Sequence, residues 1–102
     1  MKTYNKLIRD KIPEIIENKG GKADIRVLSD EEYPIYLEAK LDEEVGEYHR
    51  DKNAEELADI LEVVFALAEA DGVTRQELMD VYQKKHDVRG GFRDRVLLIS
   101  KE

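Results

Sequence analysis

Glu44, Glu47, Glu56 and Asp59 form two acidic pairs, each with i, i+3 spacing, on either side of the polar break Arg50-Asp51-Lys52-Asn53. Both flanking segments have the periodicity of amphipathic helices. If the two helices fold back on each other at the break, Glu47 comes level with Glu56 and Glu44 with Asp59. Four carboxylates brought into one small volume repel strongly. A hard divalent cation turns the same arrangement into a ligand set, since Mg²⁺ and Mn²⁺ prefer oxygen donors.

Acidic pairs at i, i+3 commonly face water, so helical phase decides between a solvated face and a site. At about 100° per residue, Leu37, Leu41, Val45 and Tyr48 form one apolar arc of the first helix. Glu44 falls inside that arc, Glu47 on its edge, and Glu43 outside it. In the second helix Ile60, Val63, Val64 and Leu67 define the arc, with Glu56 inside and Asp59 on the flank. Glu56 is also placed to act as the capping-box partner of Asn53. An unpaired carboxylate turned toward a core costs several kcal/mol or takes up a proton. Two at facing levels call for a compensating cation. Di-iron bundles use Glu-x-x-His motifs, whereas the residue three after Glu44 is Glu47 and three after Glu56 is Asp59. The all-oxygen donor set therefore favours Mg²⁺, with Mn²⁺ second. Such ions bridge carboxylates to phosphates and activate water for attack on phosphorus.

The elements that must position these residues are legible from local signals. Asp10 to Lys19 is expected to be a short helix with Pro13 in its first turn and Gly20-Gly21 at its end. The alternation around Ile25 and Val27 predicts a short strand over Ala23 to Leu28. Ser29 with Glu32 makes a capping box that opens a long helix to about Arg50. Asn53 with Glu56 opens the next helix, which Gly72 ends. Thr74 with Glu77 opens another, to about Asp87. The apolar, partly β-branched run Val96-Leu97-Leu98-Ile99 predicts a final strand, which could pair with the first. The expected fold is mainly α: one domain over residues 1–102, an antiparallel helical bundle with a small two-stranded β element.

Composition narrows the function classes. The chain has 102 residues, of which 41% are hydrophobic and 40% charged, and a net charge of -7. An acidic balance argues against a nucleic-acid polymer as partner. It leaves room for a small phosphorylated ligand held by a metal or a local basic cluster. There is no cysteine, which rules out disulfides and thiolate metal sites. No apolar run approaches the length of a membrane span. The opening Met1-Lys2-Thr3-Tyr4-Asn5-Lys6 lacks the apolar stretch of a signal peptide, so the cytoplasm is the expected location.

The segment Glu43-Glu44-Val45-Gly46-Glu47 followed by Glu56-Leu57-Ala58-Asp59 resembles the EExxE…ExxD signature of the all-α nucleoside triphosphate pyrophosphohydrolases. That superfamily includes MazG, the dimeric dUTPases and phosphoribosyl-ATP pyrophosphohydrolase. The opening Tyr4-Asn5-Lys6-Leu7-Ile8-Arg9-Asp10-Lys11-Ile12-Pro13-Glu14-Ile15-Ile16 and the later Arg89-Gly90-Gly91-Phe92 resemble a compact subgroup described as phosphoribosyl-ATP pyrophosphohydrolase-like. The resemblance implies Mg²⁺-dependent cleavage between the α- and β-phosphates of a nucleotide, giving a monophosphate and pyrophosphate. It makes Glu44, Glu47, Glu56 and Asp59 the metal ligands and the catalytic set.

Positive groups for a phosphate chain are expected in two places. Lys84, Lys85, Arg89, Arg93 and Arg95 cluster around Gly90-Gly91, where backbone N–H groups can approach phosphate oxygens. The same residues also suit a helix C-terminus. Arg9 and Lys11 form a second basic spot, able to reach a phosphate or to pair with surface acids. Of these, Lys85, Arg89, Arg93, Arg9 and Lys11 are the candidate substrate contacts. A chain this short is expected to complete its pocket as a homodimer or higher homo-oligomer. Two other function classes fit the same residues: a helical assembly module without catalysis, and a nucleotide-binding sensor that turns over slowly.

Overall fold

A computed structural model describes residues 2–102; Met1 lies outside the described residues. Among the described residues the chain is all helical, with α1 at Ile12–Asn18, α2 at Tyr33–Asp51, α3 at Ala54–Ala70 and α4 at Arg75–Arg89. None of the helices is long and apolar enough to cross a membrane.

Each boundary has a local cause. Pro13 sits in the first turn of α1, where its missing N–H costs nothing. Beyond α1, Gly20 N–H donates to the Glu17 carbonyl (2.9 Å) and Gly21 N–H to that of Ile16 (3.0 Å), the paired bonds of a Schellman end. Both glycines are required there. Gly20 has φ +87°, and a Cβ on Gly21 would lie 2.9 Å from Ile16 Cγ2. Ahead of α2, Ser29 and Glu32 exchange backbone-to-side-chain bonds of 3.1 and 3.2 Å. The box thus closes one turn before the regular helix, and Tyr33 N–H already reaches the Ser29 carbonyl. Arg26 holds Glu32 through both guanidinium NH₂ groups, at 2.9 and 2.7 Å. These bonds, Arg26 first and then the Ser29 backbone, hold the Glu32 carboxyl down at about 2.

Only Lys52 and Asn53 join α2 to α3. Lys52 adopts the left-handed conformation (φ 48°, ψ 47°) and its N–H closes α2 on the Tyr48 carbonyl at 2.8 Å. Asn53 Oδ1 then accepts from Glu56 N–H at 3.0 Å, which starts α3. So tight a connection folds the helices into a hairpin, the main packing unit of the molecule. The full Thr74–Glu77 capping box starts α4. Arg75, at its first position, stacks over the Phe65 ring at 4.0 Å and ties α4 to α3.

The core is thin. Leu37 of α2 and Val63 of α3 are its buried hydrophobic residues, and Glu44 is buried beside them. α4 buries none of its residues.

The expected two-stranded element is absent among the described residues. Ala23 to Leu28 and Val96 to Ile99 form no strand, and no backbone hydrogen bond joins them. A strand needs a partner's N–H and C=O groups, and neither segment meets one within its own chain. Both leave apolar side chains in solvent, Val27 at 92% and Ile99 at 90% exposure.

Candidate metal centre

The α2–α3 hairpin brings the four acidic residues together. One carboxylate oxygen from each of Glu44, Glu47, Glu56 and Asp59 lies within 4.8 Å of all the others. Burial follows the expected phases for Glu44, Glu47 and Asp59, whereas Glu56, expected inside the arc, is only half-buried although its Oε2 is enclosed. Glu44 is buried at 6% exposure, and the other three are half-buried at the hairpin's edge.

The hydrogen bonding is incomplete in an informative way. Glu44 Oε2 and Glu56 Oε2 are buried without a hydrogen-bond partner, which is costly for a charged oxygen. Glu44 has some compensation, since Lys40 Nζ stands 3.3 Å from its Oε1. Asn53 caps α3 by accepting the Glu56 backbone N–H, but no bond returns from the Glu56 carboxylate to Asn53. That carboxylate therefore faces the cluster instead of completing a capping box. Burial raises the Glu44 pKa above its ordinary value; Lys40 opposes the rise and Glu47 adds to it. Burial also raises the pKa of Glu56, followed by the nearby Glu47 carboxylate. Cations counter both shifts.

A basic arm crosses the mouth of the site. Lys6 Nζ donates to Glu43 Oε1 at 2.9 Å, and Arg9 Nη2 to Asp59 Oδ1 at 2.6 Å. The segment before α1 is thereby fastened to α2 at one point and to α3 at another. Glu43 also accepts from Lys40 at 3.1 Å. It is less solvated than its outward phase predicts, because two lysines fold over it; it stands outside the four-carboxylate group. A small cavity of about 110 Å³ opens between the arm and α2, lined by Asn5, Lys6, Tyr36, Lys40 and Glu43.

Of the expected phosphate contacts, Arg9 reaches the centre and the others do not. Lys11 caps α1 from an exposed position. Lys85 and Arg89 are exposed on α4, and Arg93 on the chain beyond it. None of these forms an ion pair with the quartet. Arg89 and Arg93, with Phe92 and Arg95, instead line a separate open hollow of about 350 Å³. Lys40 and Lys6 also stand beside this centre, where no motif placed them. Lys40 had a signal, since it stands four residues before Glu44 on the same helix face. Lys6 had none, because only the tertiary path of the arm brings it to Glu43.

The donor set is all oxygen, anionic and arranged across two helices, the chemistry that a hard divalent cation prefers. No protein-family model matches the chain, and no solved structure matches it. An uncharacterized protein of Mycolicibacterium smegmatis (strain ATCC 700084 / mc(2)155) is 58% identical over 41 residues, 40% of this chain and 42% of that relative. The similarity therefore spans less than half of either protein.

Proposed function

We propose that the chain is a Mg²⁺-dependent nucleotide pyrophosphohydrolase that cleaves the α–β phosphoanhydride of a nucleoside triphosphate or a phosphoribosyl-ATP-like substrate. The observation that carries this reading is the convergence of four carboxylates with two buried, unpartnered oxygens. The EExxE…ExxD resemblance supplies the reaction class. Glu44, Glu47, Glu56 and Asp59 would hold the cation. When bound, Mg²⁺ supplies neutralisation of phosphate charge and activation of the attacking water. Arg9, Lys6 and Lys40 put positive charge at the rim, where a phosphate chain would lie. Hydrolysis adds water across the bridge: hydroxide joins one phosphorus, the bridging oxygen leaves with the other, and a quartet carboxylate accepts the proton. The products are the corresponding monophosphate and pyrophosphate.

Pyrophosphate release from a panel of nucleoside triphosphates and phosphoribosyl-ATP, with Mg²⁺, Mn²⁺ or EDTA, tests the proposal. Metal-dependent release is the expected result. Glu47→Gln and Asp59→Asn should each lower turnover by at least about 100-fold with helical circular dichroism unchanged. Near-normal activity in either variant would remove the metal assignment. Nucleotide binding without release would favour the slow sensor, and neither binding nor release the assembly module.

A further inference from the structure

The two strand-type segments raise a question separate from catalysis. Ala23 to Leu28 and Val96 to Ile99 have strand composition, yet neither is paired in its own chain. Ala23 and Leu28 are half-buried, but the other apolar side chains stand in water: Ile25 at 58% exposure, Val27 at 92%, and residues 96–99 between 73% and 90%. We infer that the segments pair between two copies of this chain, residues 23–28 of each copy forming a β-ladder with residues 96–99 of the other.

Surface area supports a second copy as the occupant. A compact monomer of 11.8 kDa is expected to expose about 5,900 Å². This chain exposes 9443 Å², an excess of about 3,500 Å² over that scaling. Its radius of gyration is 17.7 Å, against about 13 Å for a compact domain of this length. Obligate homodimers bury roughly 1,000–2,500 Å² per partner, so the excess is ample for one.

Charge and symmetry point the same way. Asp24 within the first segment and Asp30 and Glu31 after it outweigh Lys22, with Arg26 already paired to Glu32, and Arg89, Arg93 and Arg95 outweigh Asp94 ahead of the second. The two are complementary in sign, which favours their meeting. A two-fold axis makes an interface self-complementary, so one association satisfies both segments of both copies. Gly20-Gly21 and Gly90-Gly91 set each segment off from the helix before it. A lone two-stranded ribbon is marginal in water, and exposed apolar helix faces are available to back it. Leu57 and Leu61 of α3 are about half exposed, as is Tyr82 of α4.

Hydrogen–deuterium exchange on the 102-residue chain, with its mass followed by sedimentation velocity, decides the matter. The expected result is a species of twice the 11.8 kDa chain mass, with amides of 23–28 and 96–99 slowed at least about 100-fold. Both segments should lose protection together on dilution to the monomer. Leu97→Pro removes a ladder donor outside every helix; it should abolish protection of 23–28 as well and shift the chain toward monomer, helical signal retained. A chain that stays monomeric at high concentration overturns the inference. So does a dimer in which both segments exchange freely, or a monomer in which they are protected. None of these readouts depends on catalysis or on a bound metal.

Discussion

Glu44 is where the cost of folding is concentrated. Its carboxylate is buried, with one oxygen near Lys40 and the other unpartnered. Burial carries its pKa above 4.5, and Glu56 is shifted the same way. A carboxyl with a raised folded pKa binds more protons folded than unfolded between the two values, so stability falls as pH rises through that interval. Glu32, held at about 2, and Glu43, also lowered, have the opposite sign. Their contribution is full above the ordinary 4.5 and is lost as pH falls below it. The two groups therefore act in separate windows. With EDTA present, the thermal midpoint should decline as pH rises above 4.5 through the raised pKa values of Glu44 and Glu56, and Glu44→Gln should flatten the decline. A midpoint that climbs through this window would mean that Lys40 and Arg9 already neutralise the quartet. The quartet was legible in the sequence because i, i+3 spacing and helical phase are properties of a single helix. The Arg9–Asp59 and Lys6–Glu43 contacts were not, since they depend on residues 50 and 37 positions apart.

The α2–α3 hairpin sets the distance between the two acidic pairs, and its stability rests on few residues. Leu37, at 2% exposure, is the anchor of α2, and Leu37→Ala should cost about 2–5 kcal/mol. At the turn the sequence works against itself, because Lys52 occupies a left-handed conformation that disfavours a Cβ. Lys52→Gly removes that strain at some cost in unfolded-chain entropy, for a net gain of about 0.5–1 kcal/mol. Urea denaturation of the two variants checks both signs; a destabilised Lys52→Gly would show that the Lys52–Tyr48 contact (5.9 Å) outweighs the backbone. Local chemistry explains why the helices were foreseen closely. Asn53, Thr74 and the Gly20, Gly72 and Gly90 stops act within a turn of their own positions. The strands failed for the complementary reason: composition makes 23–28 and 96–99 suitable for a ladder, but a ladder exists only where a second strand arrives.

For the molecule as a whole, a thin core and a charge of -7 leave stability sensitive to any ligand of the folded state. A ligand that binds only the folded state stabilises it by RT ln(1 + [L]/Kd), about 2.7 kcal/mol at one hundred times Kd. In a domain of this size that corresponds to roughly 10 °C or more in the midpoint. Mg²⁺ can also raise the midpoint by screening an acidic surface, so the comparison must be with KCl at equal ionic strength. Protein concentration must be held fixed, because self-association also moves the midpoint. The expected outcome is a Mg²⁺ increment well beyond the KCl increment, retained in Glu43→Gln and lost in Asp59→Asn. Glu43 lies outside the quartet and bonds to lysines, whereas Asp59 is one of the four clustered carboxylates. If Mg²⁺ and KCl act alike, the carboxylates hold no specific cation. The cost of Glu44 and Glu56 would then be met by Lys40, Arg9 and proton uptake, and the hydrolytic reading would lose its foundation.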